Sequence, residues 1–211
     1  MIKRNPEDID DDVTEETIVL PLFEIVVFPK TRTKIQVDDR TGTILGMALE
    51  KAERAYALGM TVRPEKAGPA EVSGDMVYPT GNLLRIASVQ PADTGYLVYA
   101  EAVARVAAET FVQKDGLLYA SFRLVPDQPD LDDAVQADLI IAIKKTIHEI
   151  SNRFQSSEHF TKPLDNMDSI DQIMGFIVPF MPVPLAEKQE LMEITSVNER
   201  YNAFLDRKSV V

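Results

Sequence analysis

Residues 18–28 read IVLPLFEIVVF, an apolar run broken only by Pro21 and Glu24. A strand with one wet face alternates polar and apolar residues, so a run this continuous predicts a central strand covered on both faces. Pro21 removes a donor near the start of that strand, and Pro29 ends the run by fixing φ. Lys34, Ile35, Gln36 and Val37 then alternate, as a half-buried strand does. The prolines frame a piece of scaffold rather than a site.

The period changes over residues 39–58. Ile44, Leu45, Ala48, Leu49, Ala52 and Tyr56 recur at helical spacing, and Gly59 stands where a left-handed C-cap belongs. Four β segments are expected next, over residues 61–64, 81–89, 96–109 and 110–124. Asp93-Thr-Gly95 and Lys114-Asp-Gly116 supply turn signals, the second a strong hairpin signature. The expected unit is a small, twisted, mostly antiparallel sheet or open barrel with one helix inserted early.

Beyond Pro126 the pattern is helical. Val135, Leu139, Ile143, Ile147, Ile150 and Phe154 form one stripe at steps of three or four. Ser169-Ile-Asp-Gln172 has the capping-box form and opens a short helix through Ile170, Ile173 and Ile177. Pro184 suits the first turn of a helix through Leu185, Leu191 and Ile194, and Ser196-Val-Asn-Glu199 is a second capping box. Residues 1–17 hold two basic side chains against seven acidic ones and few apolar groups, so an acidic disordered tail is expected. The chain thus divides into a tail at 1–17, a β-rich domain at 18–126 and a helical bundle at 127–211, an α+β protein.

Composition narrows the chemistry. The 211 residues carry a formal net charge of −12, which repels phosphate backbones and anionic lipid. Neither nucleic acid nor a membrane is an expected partner, and the first residues lack the apolar run of a signal peptide, so a cytoplasmic protein is expected. Without cysteine there are no disulfides or thiolate metal sites. His148, beside Glu149 and one turn after Lys144, reads as part of a solvated helix face; His159 lies in a loop. Asp38-Asp39 and Asp132-Asp133 stand at helix starts, where they complement the dipole. Phosphate-loop and dinucleotide motifs are missing, so no cofactor, no catalytic residue and no independent enzyme is expected.

Two loop-like stretches hold apolar groups that are costly to leave in water. One is Phe180-Met181 between prolines; the other is Met76-Val-Tyr78 after a Gly- and Pro-containing segment. Methionine and aromatic side chains suit a surface that accepts many sequences. Phe180, Met181, Met76 and Tyr78 are the candidate polypeptide-binding residues, against the plainer reading that they seal a domain interface.

One ordered set of motifs runs through the chain: Leu20-Pro21-Leu22, Val26-Val27-Phe28-Pro29, Gly81-Asn-Leu-Leu-Arg-Ile86, Val98-Tyr-Ala-Glu101 and Arg105. It closes with Met181-Pro182, Leu185-Ala-Glu-Lys-Gln189 and Val197-Asn198-Glu199-Arg200. In this order they resemble the N-terminal substrate-recognition domain of the ATP-dependent protease Lon. Departures are Lys34-Ile35 where a Pro-Leu pair is frequent, and Ala102 where glycine is frequent. The resemblance implies a PUA-like β domain followed by a helical bundle. It also implies capture of unfolded or degron-bearing polypeptides for a hexameric ATPase ring and a Ser–Lys protease, both C-terminal to this chain. The competing expectations are a module that only supports the ring, and a stand-alone relative.

Overall fold

The computed structural model describes residues 16–52, 54–66, 71–128, 130–151 and 162–208. Residues 1–15 of the expected 1–17 tail, Phe154 and His159 lie outside these residues, as does the side chain of Ile150, whereas Thr17 of that tail is buried at the start of the first strand.

Six strands form one mixed sheet: β1 Thr17–Leu22, β2 Arg32–Val37, β3 Ala55–Thr61, β4 Thr80–Pro91, β5 Tyr96–Lys114 and β6 Leu117–Leu124. The order is β2-β5-β4-β3-β1-β6, and β6 pairs back onto β5. The five strands β1, β3, β4, β5 and β6 therefore close a ring, while β2 lies along the first half of β5. Closure needs bent strands. Register shifts at Leu83/Leu84, Ile86/Ser88 and Ala108/Thr110 supply the bulges that bend them. The last of these falls where two separate β segments were expected; the chain instead runs through it as one 19-residue strand. Lys114-Asp-Gly116 makes the expected hairpin, with Asp115 at φ 53° and Gly116 at φ 74°.

All pairings are antiparallel except β1 with β3, which are separated in sequence by β2 and a helix long enough for a crossover. Both faces of β1 are covered as its composition demands: Ile18, Leu20 and Leu22 enter one apolar cluster and Val19 another. The strand is shorter than expected, however, and stops at Leu22. Phe23 and Glu24 turn the chain, with Glu24 at φ 61°. Pro21 sits well inside β1. Leu22 O accepts from Val62 N–H (2.9 Å), so Leu20 and Leu22 bond β3 and Pro21 faces the other side. There β1 pairs with β6 only at Thr17 and Ile18, so the missing donor costs no ladder bond.

Helix α1 (Asp39–Lys51) is capped by Asp38, whose carboxylate accepts from Thr41 N–H at 2.7 Å. It ends before Tyr56, and Gly59 is a residue of β3 rather than a C-cap. A side chain at Gly59 would meet Leu84 Cδ1 at 2.8 Å, so close packing explains the glycine.

The helical part comprises α2 (Asp133–Ser151), a turn at 162–165, α3 (Ile170–Ile177), α4 (Leu185–Glu193) and α5 (Val197–Lys208). Ile143 and Ile147 of the α2 stripe are buried, but Val135 is exposed, and Ile140, outside the expected stripe, packs on the same core. Ser169 caps α3 by accepting from Gln172 N–H (3.2 Å), while Gln172 Oε1 accepts from Asp168 N–H rather than from the cap itself. Pro184 precedes α4 by one residue. Ser196 caps α5 through Glu199 N–H (2.9 Å), and Asp130 accepts from Ser196 and from the amides of Val197 and Asn198.

Candidate functional site

The seam between barrel and helices is built by residues 23–31. Successive side chains are dealt to opposite cores: Val26 and Phe28 join the helical core, Val27 the barrel core. The backbone is pinned from the barrel, with Ile25 O accepting from Thr61 Oγ1 (3.2 Å) and Val27 O from the buried Asn82 Nδ2 (2.7 Å). Helix α3 presses so close that a side chain at Gly175 would meet Thr31 Cγ2 at 2.3 Å. Phe23, half exposed, and Ile25 are left facing solvent.

Charge locks the same seam. Arg105 of β5 and Arg200 of α5, 3% and 1% exposed, share Asp127. Arg105 Nη1 donates to Asp127 Oδ1 at 2.6 Å; Arg200 Nη1 and Nη2 donate to Oδ1 and Oδ2 at 2.9 and 3.0 Å. Arg105 Nε also donates to Met192 O (2.7 Å), tying β5 to α4, and Arg200 Nη2 lies 3.3 Å from Asp171 Oδ1. Burial opposes ionisation of Asp127, but the hydrogen bonds and charge of Arg200, then of Arg105, hold its carboxyl below the ordinary value. For Asp171 burial dominates and pushes its carboxyl up, with Arg200 pulling the other way. Gln189 adds a neutral link, its Nε2 donating to Thr80 O at 2.9 Å.

The four candidate residues stand differently. Phe180 ends the 3-10 turn Val178–Phe180, is 66% exposed, and meets Phe176 edge-to-face at 6.3 Å. Met181, next in the chain, is 7% exposed and belongs to the helical core, so the pair is not a single exposed patch. That alternation makes the turn a rigid mount: Val178 and Met181 anchor it, and Lys188 Nζ donates to Pro179 O at 3.1 Å. Tyr78 is half-buried under the Arg63 guanidinium, 4.7 Å from the ring centroid. Burial raises its hydroxyl pKa, and Glu65 adds to the rise, with smaller contributions from Glu193 and Glu190 of α4. Met76 is half-buried, its sulfur accepting from Ser73 N–H at 3.4 Å. Asp75 beside it is held down to about 2 by hydrogen bonds from Ser73 and Lys66. Helix α4 thus relates the two stretches: its Gln189 donates to Thr80 O, two residues beyond Tyr78, and its Lys188 holds the turn that carries Phe180.

Sequence reasoning missed Phe23 and Ile25, which it placed inside a buried strand. It also missed the Arg105–Asp127–Arg200–Asp171 network; Asp127 between Pro126 and a second proline was the available signal. Among the described residues, no group of three or more His, Asp or Glu is placed to hold a metal, and no helix is long and apolar enough to cross a membrane. His148 pairs with Asp165 at 2.9 Å on a partly exposed face.

The described residues thus build a ring-closed mixed barrel sealed to a small helical bundle, with Phe23, Ile25 and Phe180 among the exposed apolar side chains. Residues 16–207 match the family described as the ATP-dependent protease La (LON) substrate-binding domain. The chain belongs to that family. It is 52% identical over 200 residues to the Lon protease of Methanosarcina barkeri (strain Fusaro / DSM 804), covering 95% of this chain and 25% of that protein. The Lon protease of Clostridium beijerinckii is 24% identical over 196 residues, covering 93% of this chain and 24% of that protein. The chain therefore spans about a quarter of the length of these relatives. Among solved structures, the N-terminal domain of Mycobacterium avium complex Lon protease superposes with a TM-score of 0.62 at 16% identity, covering 92% of this chain and 98% of that one. The Lon N-terminal domain protein from Xanthomonas campestris gives 0.60 at 14% identity, covering 90% and 97%. The α+β class expected from the sequence is that of these domains.

Proposed function

We propose that this chain recognises unfolded or degron-bearing polypeptides through exposed apolar groups along the seam, and presents them to the ATPase and Ser–Lys protease domains of a parent Lon-type protease. The parent assembles as a hexamer in the cytoplasm. The division near Pro126 is then the joint between a β-rich capture domain and a helical bundle leading toward the ATPase. Phe180 carries the reading: an aromatic ring two-thirds in water, on a turn whose neighbours are locked in the core. Such a ring is ready to be covered, at no cost in loop ordering. Phe23 and Ile25 offer further exposed apolar side chains, Met76 and Tyr78 half-buried ones, and Met181 anchors the Phe180 turn in the core.

Burying a phenylalanine side chain is worth about 1.5–3 kcal/mol, so covering the exposed two-thirds of Phe180 contributes roughly 1–2 kcal/mol. Photo-cross-linking of the chain to a denatured protein tests this. Phe180→Ser is expected to reduce capture about tenfold while circular dichroism stays unchanged. Undiminished capture by the folded variant removes the seam as the site.

A further inference from the structure

Among the described strands β2 ends the sheet order, and it pairs only with β5. Which backbone groups it leaves free follows from hydrogen bonds at its start. Lys30 N–H donates to Ala102 O (2.7 Å), and Ala102 N–H to Thr31 O (2.8 Å). Antiparallel alternation then gives Thr33 and Ile35 the ladder bonds to Ala100 and Val98. The N–H and C=O groups of Arg32, Lys34 and Gln36 turn away from β5.

The two faces of this edge differ. Arg32, Lys34 and Gln36 are exposed on one face, with Lys34 over the Tyr99 ring at 5.8 Å. Arg32 stands opposite Glu101, which is already paired to Arg85, so its own charge is unspent on that side. In a chain of net charge −12, Arg32 and Lys34 side by side on this face are a local concentration of positive charge. On the other face Ile35 is buried and Thr33 and Val37 are half-buried, with Ile35 and Val37 in the cluster beneath α1. The charge changes sign just past the strand, but Asp38 there is engaged in capping α1.

We propose that the free edge of β2 is a strand-addition site for an extended polypeptide that alternates acidic and apolar residues. Backbone bonds to Arg32, Lys34 and Gln36 set the register. Acidic side chains of the added strand lie beside Arg32 and Lys34, and its apolar ones continue the Ile35 face. The site shares no residue with the seam, so it stands or falls independently of the reading above.

The test is a titration of the isotope-labelled 211-residue chain with a capped ten-residue peptide of alternating Asp and Val. Controls are a peptide of the same composition in two blocks, and an alternating Lys–Val peptide. At low salt the Asp–Val peptide is expected to saturate below about 1 mM, shifting the amides of Arg32, Lys34 and Gln36 and slowing their exchange, with smaller changes at Thr33 and Ile35. Both controls, and the variant Lys34→Glu, are expected to bind at least tenfold more weakly. Lys34→Pro deletes one outward N–H and no bond to β5, and is expected to weaken binding while the β5 amides keep their shifts. Three results would overturn the proposal. One is equal binding of the block peptide. Another is undiminished affinity in folded Lys34→Glu, which would leave the lysine as a guard against edge pairing. The third is binding that emerges only when Asp8, Asp10 and Asp12 are changed to Asn, which would assign the edge to the chain's own acidic segment.

Discussion

Replacing Asp127 by Asn keeps the shape of the side chain and removes the charge on which two buried guanidinium groups converge. Asp127 accepts three charge-assisted hydrogen bonds, at 2.6, 2.9 and 3.0 Å. Arg105 Nη2 and Arg200 Nε have no partner among the described residues. Beyond Asp127 each guanidinium keeps one backbone carbonyl, Met192 O for Arg105 and Ile194 O for Arg200, neither of which carries charge. Asn offers one acceptor oxygen, and leaves two cations facing Asp171 alone, a group whose ionisation burial already disfavours. Breaking a buried pair by removing one partner costs about 3–5 kcal/mol. The Asp127 side chain retains 29% exposure, so water relieves part of the penalty and the lower end, about 3 kcal/mol, is expected. For a chain of this size that is a fall in Tm of roughly 6–12 °C. Urea unfolding at pH 7, followed by far-UV circular dichroism, measures it. A change below about 1 kcal/mol would refute the reasoning, because the network would then be screened. A companion variant separates charge from packing: Arg105→Met, Asp127→Leu and Arg200→Met together should cost less than Asp127→Asn alone, since no buried charge is stranded.

The same network makes stability depend on pH in two opposed ways. Asp127, whose folded pKa is lowered, stabilises above the ordinary carboxylate range, and that contribution is lost as pH falls through its lowered value. Asp127→Asn should therefore flatten the acid limb of a Tm-against-pH curve. Asp171 is raised, so its contribution is intact below the ordinary value and declines as pH rises through the folded one; Asp171→Asn should remove that decline. At Gly95, φ is 68° and an added Cβ would lie 2.1 Å from Val37 O. Gly95→Ala is expected to cost at least about 1–2 kcal/mol and to loosen the end of β2, read as faster amide exchange at Val37. Ser196→Ala removes the cap on Glu199 N–H and should cost about 1 kcal/mol, with fraying confined to the first turn of α5.

What the sequence made legible was local. The Lys114-Asp-Gly116 hairpin, the caps at Ser169 and Ser196 and the helical period of α2 all depend on neighbours within a few residues. Failures came where distant chain decides. Nothing between Leu22 and Phe28 announces that the run is shared between two cores, because Val26 and Val27 look identical in composition and differ only in which core receives them. The helix drawn through Tyr56 was periodic enough, but Ala55 and Ala57 are claimed by the β4 ladder. Phe180 was legible as an apolar side chain in a proline-bounded loop; Met181 was not, since three residues per turn bring Val178 and Met181 onto one core-facing side and leave Phe180 off it.

The seam itself explains why polar residues were spent where apolar ones would hold as well. Burying Arg105 and Arg200 contributes little net stability, since the desolvation of two guanidinium groups offsets most of what Asp127 returns. What the network supplies is registry. An apolar contact between barrel and bundle tolerates sliding, whereas three directed bonds on one carboxylate, plus one from Arg105 to Met192 O, permit a single placement of α4 and α5 against β5. Helix α4 bears Lys188, which holds the Phe180 turn, and Gln189, which donates to Thr80 O two residues beyond Tyr78. A displaced α4 would therefore move the two apolar stretches relative to each other. Asp127→Asn is accordingly expected to weaken polypeptide capture even at temperatures where the variant is fully folded, although Asp127 touches none of the proposed binding residues. Capture by folded Asp127→Asn equal to that of the unaltered chain would show that the two stretches act separately.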